Sequence, residues 1–146
     1  MAFIHVSGPA KTIGFQKVAS TAIAVGSALA WQISSGRVSQ ALAESTRIAG
    51  IAIKAIASTD SDFASATVIP VLLASSDDIF LADVSGTLAQ ANVGQAYDLT
   101  RTAAGTAQSV DLSSAQRKVA TIVGFVSASQ AYVTLNGSFP FSNKTN

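Results

Sequence analysis

Turn residues interrupt this chain at short intervals. From residue 28 onward, each apolar run is closed by Gly, Pro, Asn, Asp or clustered Ser before it reaches the length of an ordinary helix. Such punctuation excludes a helical bundle and leaves about eight or nine short strands, the spacing of a small barrel or sandwich. No segment repeats at a fixed period, and no stretch is biased enough to link two domains.

Individual runs carry more detail. Residues 28–33 lead through Ser34-Ser35-Gly36 into residues 37–41, a hairpin in which the glycine supplies a positive φ. In residues 47–56, Ile51 and Ile53 fall on one face and Ala52 and Lys54 on the other, with Gly50 marking a bulge or a close backbone approach. After the polar loop 59–66, residues 68–73 form a strand containing Pro70, which cannot donate to a ladder and predicts an edge strand or a late start.

Asp77-Asp78 make the next turn, and residues 79–84 set Phe80, Ala82 and Val84 against Ile79 and Leu81. Residues 89–94 suit either one helical turn or a loop, and 95–99 and 109–112 are brief strands. The β-branched run 118–126 predicts a fully buried strand, and residues 131–135 end at Asn136-Gly137. The first 17 residues carry Gly8-Pro9 and Gly14 with no clear period and read as an extended arm. The expected organisation is an arm at 1–17, a β domain at 18–137 and a polar tail at 138–146.

The uncharged stretch 18–33, preceded by Lys11 and Lys17, has some character of a secretory signal. Gly26 and Ser27 interrupt it, and its 16 residues fall short of the ~20 that span a bilayer. It reads better as strand material, and no membrane is expected as a partner.

Composition narrows the function classes. Only 12% of residues are charged, about half the ~25% usual in soluble domains, and the formal net charge is +1. Such a surface offers no field for nucleic acid or an anionic membrane. Arg37, Arg47, Lys54, Arg101, Arg117 and Lys118 are scattered, and aromatics flanked by basic residues are missing, so no nucleic acid is expected as a partner. The 27 Ala, 20 Ser and 12 Thr make up about two fifths of the chain.

Groups for catalysis are few: one His, one Glu, seven Asp and no Cys. His5 falls in the arm, too loosely held for a catalytic base, and no Gly-x-Ser-x-Gly elbow or phosphate-binding glycine loop occurs. Asp60, Asp62, Asp77 and Asp78 lack the spacing of a calcium loop and read as turn formers. The expectation is a protein that is not an enzyme and carries no cofactor or metal.

What remains is assembly. A nearly neutral, small-residue-rich β domain with apolar ends suits a surface covered by a partner. The candidate interface residues are Phe3, Ile4 and Phe15 in the arm and Phe139 and Phe141 in the tail.

The order of segments resembles a family. Ser35-Gly36-Arg37-Val38, Ala41 to Ala43, Ile48-Ala49-Gly50-Ile51-Ala52 and Ile69-Pro70-Val71 look like the small decoration, or cement, proteins of tailed bacteriophages. Ala82-Asp83-Val84-Ser85-Gly86, Val93-Gly94, Tyr97-Asp98-Leu99, Val123-Gly124-Phe125-Val126 and Val133-Thr134-Leu135-Asn136 continue the likeness over about residues 28–136. The motifs are strands and turns and assign no contact residues.

The resemblance implies an all-β body, a single small β-barrel or β-tulip-like domain, with a β-sandwich as the alternative. It also implies a homo-oligomer, a trimer above all, clipped to the outer surface of the capsid in the virion. There it would stabilise the shell by bridging subunits of the major capsid protein. Two other readings stand beside it: a phage tail or fibre-associated structural β-protein, and a small-ligand-binding β-barrel.

Overall fold

The computed structural model describes residues 2–42, 47–75, 77–100 and 104–135. Among them are eleven strands and one 3-10 turn at Gln90–Asn92. The strands are β1 (Phe3–Ser7), β2 (Thr12–Gln16), β3 (Ala28–Trp31), β4 (Val38–Gln40), β5 (Ile48–Ala52) and β6 (Val68–Leu73), followed by β7 (Ile79–Ser85), β8 (Ala96–Leu99), β9 (Val110–Asp111), β10 (Ala120–Ser127) and β11 (Gln130–Leu135). The fold is all-β, as the turn spacing requires.

The first sheet runs β1-β7-β11-β10-β8-β9, and β9 pairs back in parallel onto Val84 and Ser85 of β7. The ring β7-β11-β10-β8-β9 is therefore a closed five-stranded barrel, and closure removes the edges an open sheet would expose. Beside it, β1 lies antiparallel along β7, Phe3 opposite Ala82 and Ile4 opposite Leu81. The second sheet runs β2-β6-β5-β3-β4, and a parallel bridge from Lys17 to Val38 brings its two ends together at one point.

Two cores result. The larger is built from Phe3, Phe80, Leu99, Val110, Ile122, Val133 and Leu135, joined by Ala28, Ala30, Ile48 and Ile51 of the second sheet. The smaller collects Ile23, Leu29, Val38, Ala49, Ala52, Ile56, Ile69 and Val71. Strands β3 and β5 thus stand between the cores and serve both. For β5 this overrides the expected alternation: all five residues are buried, and the chain turns outward only at Ile53. Alanines at 28, 30, 82, 120 and 131, each under a tenth exposed, let the backbones of these layers approach closely.

Gly50 combines both roles expected of it. The β3–β5 register slips between Leu29, opposite Gly50, and Ala30, opposite Ile48, which is a bulge. A Cβ at Gly50 would run into the backbone carbonyl of Leu72 and the Val71 side chain. Because backbone cannot yield as a side-chain tip does, Gly50→Ala is expected to destabilise the fold by about 3 kcal/mol. Urea denaturation followed by Trp31 fluorescence reads this, and an unchanged midpoint would mean that β5 and β6 stand further apart.

Pro70 is tolerated for a different reason than expected. Strand β6 is internal, between β2 and β5, not an edge. The Leu73 N–H donates to Lys11 O and the Lys17 N–H to Thr67 O, so alternate residues 67, 69, 71 and 73 bond to β2. Pro70 therefore directs its missing N–H toward β5, whose pairing reaches only to Val71. No ladder bond is lost.

The N-terminal arm needs correction. The arm was expected at residues 1–17; its described residues, 2–17, do not project from the body: β1 joins the first sheet and β2 the second. Phe3 is 1% exposed and meets Phe80 edge to face at 6.5 Å. The breakers that suggested an arm make the corner between the sheets, with Gly8 at φ +119° packed against Asp77 and Asp78. The run 118–126 is corrected too. Ala120 and Ile122 are buried, whereas Val123, Phe125 and Val126 are exposed, and two register shifts against β11, between Ile122 and Gly124 and between Phe125 and Ser127, break the regular alternation in this half of the strand.

Candidate interaction surface

Pairing across four strands sets a row of side chains on the outer face of the barrel. Ile4 of β1 stands opposite Leu81 of β7, Leu81 opposite Tyr132 of β11, and Tyr132 opposite Gly124 of β10. The alternate positions, Phe3, Phe80, Ala82, Ala131 and Val133, point into the core. Ile4 is 41% and Tyr132 39% exposed. The ring of Tyr132 lies over Gly124, where a Cβ would come within 3.0 Å of it.

Val6, Val123 and Phe125 are exposed as well, but the pairing does not join Phe125 to this row, since it stands opposite Ala131, one of the inward positions. Asp83 of β7, the strand's one charged residue, stands opposite Gln130, whose amide donates to it at 3.3 Å. Apolar side chains with a bonded polar margin are the composition of a protein-binding patch rather than of an ordinary surface.

Of the five candidate interface residues, Ile4 sits in this patch. Phe3 does not: its ring is spent in the core of its own chain and cannot also fill a partner's pocket. Phe15 is half-buried on β2, edge to face with Trp31 at 5.5 Å, on the second sheet and apart from Ile4. Phe139 and Phe141 lie outside the described residues. Leu81 and Tyr132 escaped sequence reasoning because inner and outer faces of these strands carry the same residue types. Only the register separates them.

The polar groups work as clasps. His5 Nε2 lies 2.9 Å from Asp78 Oδ1, which also accepts the Ala10 N–H at 3.0 Å, while Ser75 Oγ donates to Oδ2 at 2.6 Å. Burial pushes the Asp78 carboxyl up, but hydrogen bonds from Ser75, Ala10 and His5, with the charge of His5, outweigh it and hold the group below its ordinary range. This knot fastens β1 and the corner after it to the β6–β7 turn, the turn that the Asp77-Asp78 pair signalled.

Asp98, 3% exposed on β8, accepts from Ser114 Oγ at 2.7 Å and from the N–H groups of Gln116 at 3.1 Å, Arg117 at 2.6 Å and Lys118 at 2.7 Å. Burial again raises the carboxyl and these donors more than reverse it, so its pKa is lowered. The loop so held includes Lys118 at φ +56°. Gln108 reaches from the barrel into the second sheet, accepting the Ala28 N–H at 2.9 Å and donating to Ala41 O.

Lys17 is fully buried, and its ammonium donates to the carbonyls of Phe63 and Ser65, pinning the 59–66 loop. Asp60 takes the Ala57 N–H at 2.7 Å, the turn role read from the sequence. Among the described residues, no three of His, Cys, Asp or Glu gather as a metal site.

The chain matches no family model, no curated protein and no solved structure. The geometry of its own surface therefore carries the functional argument.

Proposed function

We propose that this protein is a structural component of a virion that binds the outer surface of a capsid and stabilises the shell by bridging major capsid protein subunits. The observation that carries the reading is the apolar row Ile4, Leu81 and Tyr132 on the outer face of the barrel. Four paired strands form its base, so the face is rigid and docking orders few side chains. Association there depends on apolar burial rather than charge, in keeping with a chain of net charge +1.

Bridging needs no catalysis. Each copy adds interface area across a seam, and many modest contacts must break together before the shell opens. A closed homo-oligomer, a trimer in this reading, gives each particle several identical faces and raises avidity further. A ligand-binding barrel is the weaker reading, because the barrel's inward positions hold the packed core side chains Phe80, Leu99, Ile122 and Val133.

Co-sedimentation with expanded capsids that lack the protein tests the proposal. Saturable binding at a fixed ratio to the capsid protein is expected, and no binding would overturn it. Tyr132→Glu places a charge in the centre of the face, with the side chain already 39% exposed. The variant is expected to remain folded by circular dichroism and to bind at least tenfold more weakly. Unchanged binding by folded Tyr132→Glu would mean that another face meets the shell.

A further inference from the structure

Strand pairing orders the outer face of the barrel into rows. One step along from Ile4, Leu81 and Tyr132 comes Asp83 of β7, opposite Gln130 of β11, which in turn stands opposite Ser127 of β10. On the other side Ser7 is opposite Ile79, and Thr134 opposite Thr121. The apolar row thus lies between a row that bears hydroxyls and a row that holds a carboxylate.

Charge on this face is confined to that carboxylate. Strands β1, β7, β10 and β11 contain no Lys, Arg or Glu, and their one His, His5, is turned inward with its ring edge to face with Phe80 at 5.6 Å. Two cations that flank these strands in sequence, Lys11 and Lys118, stand at the other end of the face. Lys118 is two residues before Ala120, which pairs with Leu135, and Lys11 follows Ala10, whose N–H is held by Asp78 just before β7 starts. From Asp78 to Asp83 is about 17 Å of strand. Asp83 Oδ1 accepts the Gln130 amide at 3.3 Å, and among the described residues no cation pairs with the carboxylate and nothing bonds to Oδ2.

We propose that the partner docking on the row Ile4, Leu81 and Tyr132 presents a Lys or Arg to Asp83, and is therefore a different protein rather than a second copy of this chain. In the shell reading, on which this rests, the cation belongs to the major capsid protein. Charge complementarity decides between the occupants. A copy mated face to face by a two-fold axis repeats the same surface, which has no cation to answer Asp83. Its carboxylates would leave water unpaired, one of the costliest of burials. A basic side chain instead meets the open Oδ2 and adds a charge-assisted bond to the one Gln130 already makes. Apolar contact supplies the attraction, and the ion pair fixes orientation and excludes wrong partners. The contacts that build a homo-oligomer then lie on another face.

Two measurements test this in the full chain. Co-sedimentation with expanded capsids that lack the protein, titrated at low and at high NaCl, compares the native chain with Asp83→Asn, which keeps the shape of the side chain. Salt screens an ion pair and leaves apolar burial in place. Native binding is expected to weaken as salt rises, and Asp83→Asn to bind about tenfold more weakly at low salt and to respond to salt far less. Equal affinity and equal salt response in the two proteins would overturn the proposal while leaving shell binding intact, whereas no binding by the native chain would overturn both. Analytical ultracentrifugation reads the other half: folded Tyr132→Glu should keep the native oligomeric state. A change of state in that variant would mean that a second copy covers the row, which also overturns the proposal.

Discussion

A chain lacking residues 1–17 is expected to lose cooperative unfolding altogether. The deletion removes one strand from each sheet, and with them Phe3 from the larger core, Phe15 from beside Trp31, and the ammonium of Lys17 from the carbonyls it ties. Truncating one buried phenylalanine costs about 3–5 kcal/mol, and a domain of this size has only about 5–15 in hand. Losing Phe3 together with the pairing of β1 and β2 exceeds that margin. Urea titration with circular dichroism and Trp31 fluorescence checks it. A sharp transition at the wild-type midpoint would show that the segment is an appendage after all.

Asp98→Ala should have the next largest effect, a loss of about 3 kcal/mol. One carboxylate satisfies four donors of the 114–118 loop, and bonds to a charged acceptor contribute about 1.5–3 kcal/mol each before water replaces them. The loop is partly exposed, so solvent recovers part of the loss. Asp98→Asn keeps the shape but not the charge and should fall between.

Acid makes the same point. The carboxyls of Asp78 and Asp98 both titrate below the ordinary 3.8 when folded. Their contribution is therefore complete above the unfolded value and is lost as pH falls through the folded ones. Stability should decline steeply below about pH 4, and less steeply in Asp98→Ala. Equal slopes in the two proteins between pH 4 and 2 would exclude Asp98 as a source of the acid sensitivity.

The sequence was most legible where polarity and position agree. In β7 the alternation of Phe80, Ala82 and Val84 with Ile79, Leu81 and Asp83 is the burial pattern observed. The β3–β4 hairpin and the tight site at Gly50 were likewise written in local residues. The N-terminal strands were not, because Gly8 and Pro9 terminate one strand and begin a corner, and only long-range pairing distinguishes that from a free arm. Strand β10 misled for another reason. Val123, Phe125 and Val126 are as apolar as Ile122 yet exposed, and the bulges that interrupt this strand leave no mark on composition. The apolar patch was illegible on the same ground: in a chain with few charges, inside and outside lack the contrast that periodicity reads.

The order in which the strands are made bears on how the molecule forms. Strands β1 and β2 leave the ribosome long before their partners, residues 79–82 and 68–72, exist. Strand β11, the last of the eleven in sequence, lies between β7 and β10, so the ring closes only once it arrives. Early segments must wait unpaired, with Phe3 and Phe15 exposed, and pairings this distant in sequence belong to the slow end of folding, milliseconds to seconds. Nascent chains crowded on one message are thus at greatest risk of joining each other's sheets before their own.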